Sequence, residues 1–199
     1  MFPASTYRAR RAALRSRMSG GLVLLSGNQD SPMNYRDNAY PFRQDSTFLY
    51  FFGLNQPGLV GLIDLDSGED WLIGTEPTIE DVVWSGPLPS LSERAAQAGI
   101  VHTQSRSMLA DRLENAVYGR RQVHFLQPYR AETIAEMVAW LKVPVASLAA
   151  RASPALTEAV IALRERKTDE EIQEIESALA VTAEMHHAAM AVLDRKSVV

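Results

Sequence analysis

The stretch Leu59-Val60-Gly61-Leu62-Ile63-Asp64-Leu65, then Asp66-Ser67-Gly68-Glu69-Asp70, then Trp71-Leu72-Ile73, decides the fold class. Two apolar runs flank a short polar segment containing glycine, the pattern of a β-hairpin. Upstream, Leu22 to Ser26 is a buried-type strand. It leads into a polar stretch, Gly27 to Ser46, too rich in Asn, Asp, Pro and Arg for a core element and long enough to be a functional loop. Phe48, Tyr50, Phe51 and Phe52 have the composition of a strand, ended by Gly53. Downstream of the hairpin the pattern alternates: helix Leu91 to Ala98, strand Ile100 to His102, helix Ser107 to Val117, strand Val123 to Leu126 and helix Ala131 to Leu141. An antiparallel start followed by helix and strand in turn predicts an α/β fold, a mixed β-sheet with flanking helices.

At 199 residues the chain is long enough for one full domain and a remainder, 1–152 and 153–193. The remainder holds two helices and no strand: Ser153-Pro154 opens one through Arg166, and Thr168 with Glu171 makes a capping box for a second. In the second, Ile172, Ile175, Leu179, Thr182, His186, Ala189 and Leu193 recur at steps of three and four, the buried face of a long helix. The first helix, Thr6 to Met18, carries Arg8, Arg10, Arg11, Arg15 and Arg17 and no acid. It superficially resembles a mitochondrial presequence, but a solvated helix capped by Ser5 or Thr6, with Tyr7, Leu14 and Met18 facing the core, accounts for it and leads directly into a strand.

Composition narrows the chemistry. Cysteine is absent, which excludes disulfides and thiolate metal sites, and 24 acidic against 20 basic side chains give −4, so no positive field favours nucleic acid. The apolar runs, such as Leu22 to Leu25, fall far short of the roughly 20 residues that span a bilayer. The expectation is a soluble cytoplasmic protein without nucleic-acid or membrane partners. Asp64, Asp66, Gly68 and Asp70 have the early spacing of a calcium loop, but Thr75 stands where a bidentate Glu is required, so the hairpin reading prevails. His186 and His187 are adjacent and diverge on a helix, unlike ligands at i and i+4, and His102 and His124 sit in strand contexts as core or edge residues. No nucleophile elbow and no glycine-rich phosphate loop are present.

The run Phe42-Arg43-Gln44-Asp45-Ser46-Thr47-Phe48-Leu49-Tyr50-Phe51-Phe52-Gly53-Leu54 resembles the signature of the N-terminal domain of Xaa-Pro aminopeptidases, the aminopeptidase P members of the creatinase and prolidase superfamily. Asp81-Val82-Val83-Trp84-Ser85-Gly86 resembles the family's acidic-x-x-Trp-x-Gly segment. Leu163-Arg164-Glu165-Arg166-Lys167-Thr168-Asp169-Glu170-Glu171-Ile172 is similar to the entry into the catalytic domain. The three motifs occur in the family's order.

The resemblance implies an N-terminal α/β domain followed by a pita-bread catalytic domain, in which two Asp, one His and two Glu hold two metal ions, usually manganese, that activate water against the bond before proline. Those ligands are expected after the helix that starts at Thr168, so no residue here takes a metal or catalytic role by carry-over, and the chain alone is expected to be inactive. The resemblance further implies proline-containing peptides as partners and a homo-oligomer, dimer or tetramer, whose N-terminal domains help wall a neighbour's active site. On that basis Trp84, Arg43 and Asp45 are the candidate substrate or subunit contacts. Arg43 and Asp45 have the alternative of fixing the entry of the loop into the aromatic segment. Trp84 lies in Val83-Trp84-Ser85-Gly86-Pro87, whose Gly and Pro predict an exposed loop, and its alternative is a locally buried ring covering the hairpin. A non-catalytic peptide-binding module of the same fold and an Xaa-Pro dipeptidase (prolidase) are the alternatives to the aminopeptidase. Asp194-Arg195-Lys196-Ser197-Val198-Val199 is what GAT-CGG-AAG-AGC-GTC-GTG encodes, which looks like a sequencing adapter, and 194–199 is therefore expected to be an artefactual tail on a truncated reading frame.

Overall fold

The computed structural model describes residues 2–35 and 37–193, so the expected tail lies outside the described residues. The chain divides into two compact units, Met1–Leu163 and Arg164–Val199. The first is built on β1 (Leu22–Ser26), β2 (Val60–Asp64), β3 (Asp70–Gly74), β4 (His102–Ser105) and β5 (Val123–Phe125) in the spatial order β4-β3-β2-β1-β5. The pairs β1–β2 and β2–β3 are antiparallel, whereas β3–β4 and β1–β5 are parallel. This is the mixed sheet that the sequence predicts.

Strand alternation sends apolar side chains to both faces of the sheet. Val23, Leu25, Ile63 and Leu72 face a layer made by α1 (Ala4–Arg15), α2 (Ser46–Phe52), α4 (Leu91–Gln97) and α8 (Pro154–Arg164). Leu22, Leu24, Leu62 and Ile73 face α5 (Leu109–Tyr118), α6 (Ala131–Leu141) and α7 (Val145–Arg151). Gly61 lets the Phe52 ring lie against β2, for a Cβ there would stand 2.1 Å from that ring.

Three local readings are corrected. The aromatic segment is the helix α2, not a strand: the Asp45 carboxylate accepts from the Thr47 and Phe48 amides, Gly53 closes the helix at φ 69°, and Phe48, Phe51 and Phe52 share its buried side. The stretch around Trp84 is a helix, α3 (Ile79–Ser85), rather than a loop. The strand expected at Ile100 to His102 instead begins at His102.

The arginine-rich first helix is not simply solvated. Arg11 is fully buried; its Nε donates to Asp70 (2.7 Å), Nη1 to the Phe51 carbonyl (2.8 Å) and Nη2 to the Ala98 carbonyl (2.9 Å). Arg15 also reaches Asp70. Burial pulls the Arg11 guanidinium below its usual pKa, and Asp70 opposes that pull. Arg10 donates to the Tyr50 carbonyl and lies over the Tyr50 ring.

The hairpin is closed by its own acids. Asp64 Oδ1 accepts from the Asp66 and Ser67 amides, both at 3.0 Å, and from Arg121 at 2.5 Å; Arg121 also reaches Asp66. Burial alone would raise the Asp64 carboxyl, but the hydrogen bonds from Arg121, Ser67 and Asp66 hold it below the ordinary value.

The second unit is led by α9 (Asp169–Val192), opened by the Thr168–Glu171 capping box. None of its residues is buried, and Ile172, Ile175 and Leu179 are exposed rather than covered. Among the described residues no single helix is long and apolar enough to cross a membrane.

Two stability predictions follow from these networks. Arg11→Leu strands two helix-terminal carbonyls and half of the Asp70 carboxylate, and should cost about 3 kcal/mol or more in chemical denaturation; a loss below about 1 kcal/mol would show the network to be replaceable. Because folded Asp64 binds its proton more weakly than the unfolded chain does, its stabilisation is complete above the ordinary carboxylate range and is lost as pH falls through and below it. Asp64→Asn should therefore be less stable at neutral pH and lose stability less steeply on acidification; equally steep loss in both proteins would contradict this.

Candidate functional site

The sequence candidates lie at two places in the first unit. The connection from β1 brings Arg43, Gln44 and Asp45 to the start of α2. Gln44 is buried, and both ends of its side chain are used. Its Oε1 accepts from the Asn28 amide (2.7 Å) and the Asp45 amide (2.9 Å), while Nε2 donates to the carbonyls of Leu54 (3.2 Å) and Gln56 (2.8 Å). One amide side chain thus joins both ends of the loop to the segment after α2. Asn28 adds a bond from Nδ2 to the Arg43 carbonyl at 2.7 Å.

Within this frame Asp45 is the N-cap of α2, its Oδ1 receiving Thr47 at 2.8 Å and Phe48 at 2.9 Å. Arg43 contributes its carbonyl and keeps its side chain exposed. Gln44, which composition did not single out, carries the positioning. A glutamine between two charged residues at a loop end is the only signal for it in the sequence.

Trp84 stands apart, on α3. Thr78 and Asp81 cap that helix reciprocally, the Asp81 amide donating to Thr78 Oγ1 and the Thr78 amide to Asp81 Oδ2. These bonds from Thr78 draw the Asp81 carboxyl below its ordinary value. No residue of α3 is buried: Trp84 is 82% exposed, Val83 74% and Ile79 86%. The ring does not cover the hairpin. Among the described residues no hydrogen bond or ion pair joins Trp84, Arg43 and Asp45.

The two strand histidines are accounted for locally. His124 is buried; Nε2 faces the Gly20 carbonyl at 3.1 Å and so carries the proton in the neutral ring, leaving Nδ1 to accept from Ser153 Oγ at 2.8 Å. His102 stacks on Trp71, ring centroids 4.7 Å apart, and Arg112 lies 3.8 Å from the Trp71 centroid. No group of three or more His, Asp and Glu that could hold a metal occurs among the described residues. They do not fit the two-metal centre implied by the resemblance, and no chemical step is assigned to them.

The family description "Aminopeptidase P, N-terminal domain" matches residues 7–124. Human Xaa-Pro dipeptidase is 32% identical over 72 residues, which are 36% of this chain and 15% of that protein. A probable Xaa-Pro aminopeptidase of Aspergillus oryzae is 25% identical over 143 residues, 70% of this chain and 29% of that protein. The structure of Pseudomonas aeruginosa aminopeptidase PepP superposes with a TM-score of 0.80 at 26% identity, covering 96% of this chain and 45% of that one. The chain thus spans less than half the length of each of these relatives. With the signature run forming α2 and its cap, and the matched region holding β1 to β5 up to His124, the chain belongs to the aminopeptidase P N-terminal domain family.

Proposed function

We propose that this chain is the N-terminal domain of a dinuclear metal-dependent Xaa-Pro aminopeptidase, a cytoplasmic enzyme that releases the residue preceding proline from a peptide. In this reading residues 1–152 form the domain proper, 153–193 lead into the catalytic domain, and two manganese ions are held by groups outside the described residues. The domain's task is to assemble a dimer or tetramer and to restrict which peptides reach a neighbouring subunit's catalytic centre. The observation that carries the reading is α3: a doubly capped helix with no buried residue that holds a tryptophan, a valine and an isoleucine in solvent. Exposed aromatic rings on an ordered support suit the contact anchors of interfaces. The reported aminopeptidase and dipeptidase relatives support the class of reaction. The similarity to the human dipeptidase keeps a second reading, cleavage of Xaa-Pro dipeptides.

Arg43 and Asp45 act in this proposal through the loop they anchor, with Arg43 the exposed member available to a peptide or a neighbouring subunit. Hydrolysis of Xaa-Pro dipeptides and of longer Xaa-Pro peptides, compared with metal added for a polypeptide that carries this domain ahead of a catalytic domain, separates the two enzymes; absence of both activities would favour the non-catalytic binding module. The 199-residue chain itself should show no metal-dependent Xaa-Pro hydrolysis above a mock preparation, and measurable turnover by it would overturn the assignment. In the longer polypeptide, Trp84→Ala should leave thermal unfolding nearly unchanged and raise KM for longer peptides, by roughly thirtyfold if the ring anchors about 2 kcal/mol of contact. A large fall in melting temperature with unchanged kinetics would make Trp84 a structural residue instead.

A further inference from the structure

At the carboxyl ends of the adjacent parallel strands β1 and β5 there is a cleft of about 60 Å³, lined by Leu24, Ser26 and Phe125 from the strands, Asp45 from the cap of α2, and Thr133 and Met137 from α6. In α/β sheets this end of the strands is where ligands collect. Alternation along β1 puts Ser26 on the same face as Leu24, toward α6 and Met137. The Ser26 hydroxyl oxygen is buried there and has no hydrogen-bond partner among the described residues. A buried hydroxyl left unpaired is costly, so it marks a place where a polar group belongs.

The groups around it have two signs. The 11-residue α6 starts at the cleft with no side-chain cap, so its first amides and the positive end of its dipole face outward. Arg130, its N-cap residue, lines the cleft and holds Ser31 Oγ, with Glu132 3.8 Å from its Nε. Opposite in charge is Asp45: Oδ1 is taken by the α2 amides, whereas no hydrogen bond among the described residues engages Oδ2. An anion alone would suit α6 and Arg130 but not Asp45, and a cation alone would suit Asp45 but not the helix end.

The geometry points to a binding site for a small free α-amino acid, its carboxylate on the α6 amides, Arg130 and the Ser26 hydroxyl, and its ammonium on Asp45 Oδ2. The spacing of the charges narrows the ligand further. In glycine and alanine both charged groups stand on one carbon, whereas in the smallest dipeptide a peptide unit separates them, and the cleft is small. Occupation would tie the start of α6 to the cap of α2, and it is independent of whether a parent enzyme cleaves peptides.

The test is a titration of the isotope-labelled full chain followed by amide NMR, with glycine, L-alanine, acetate, methylammonium, inorganic phosphate and glycylglycine as separate probes. Glycine or L-alanine should produce saturable shifts at Ser26, Asn28 and residues 131–133, with acetate and methylammonium each weaker by about tenfold or more, as expected when one charged contact is lost. Ser26→Ala and Arg130→Gln should each weaken glycine binding without altering the remaining spectrum, the second variant serving if the first fails to fold. The assignment is overturned if no amino acid gives saturable shifts, if acetate or phosphate matches glycine, if glycylglycine binds as well as glycine, or if both variants bind like the original chain.

Discussion

A single buried guanidinium sets the arrangement on one side of the sheet. Arg11 meets the carbonyl ends of two segments far apart in sequence, at Phe51 and Ala98, and its remaining edge meets Asp70 at the start of β3. A charge removed from water must be fully hydrogen-bonded, and only one relative placement of α1, α2, α4 and β3 satisfies those donors together. Apolar packing of Leu14 and Phe48 gives the layer its cohesion, but such contacts are not directional. The planar fork of Arg11 supplies the direction. Lysine could not replace it, because a point charge with one nitrogen cannot reach three separated acceptors.

How far this was legible in the chain depends on whether the deciding contacts are local. The hairpin at Asp66-Ser67-Gly68-Glu69, the helix Ala131 to Leu141 and the capping box at Thr168 are local, and their residues suffice to read them. Helix α2 was also within reach. Phe48, Phe51 and Phe52 recur at three and four, and Asp45 and Gly53 bracket them, yet aromatic composition pointed to a strand. At α3 the capping partner is Asp81 rather than the longer Glu or Gln of the usual box, and Gly86 with Pro87 suggested a loop throughout. The burial of Arg10 and Arg11 could not be read at all, because their acceptors lie dozens of residues away and two of the three for Arg11 are backbone carbonyls, which carry no sequence signature.

The candidate site divides along the same line. Asp45 lies where its motif was expected and acts as a helix cap, while Gln44 between the two charged candidates joins four backbone groups. Arg43 and Trp84 remain exposed, on a loop and on a helix whose backbones are firmly held. Exposed side chains of this kind take their positions from a buried scaffold, so the residues that fix where Arg43 and Trp84 stand are not Arg43 and Trp84 themselves.

The place of β1 in the sheet has a consequence for how the protein is made. Its inner neighbour β2 emerges soon after it, but its other edge waits for β5, about a hundred residues later. At synthesis rates of about 5–20 residues per second, the apolar run Leu22 to Leu25 keeps one open edge for about 5–20 seconds on the ribosome. During that interval nothing from the chain's own later strands can pair with it. A nascent chain halted before Val123 would present that edge to other strands, the condition under which β-sheets aggregate.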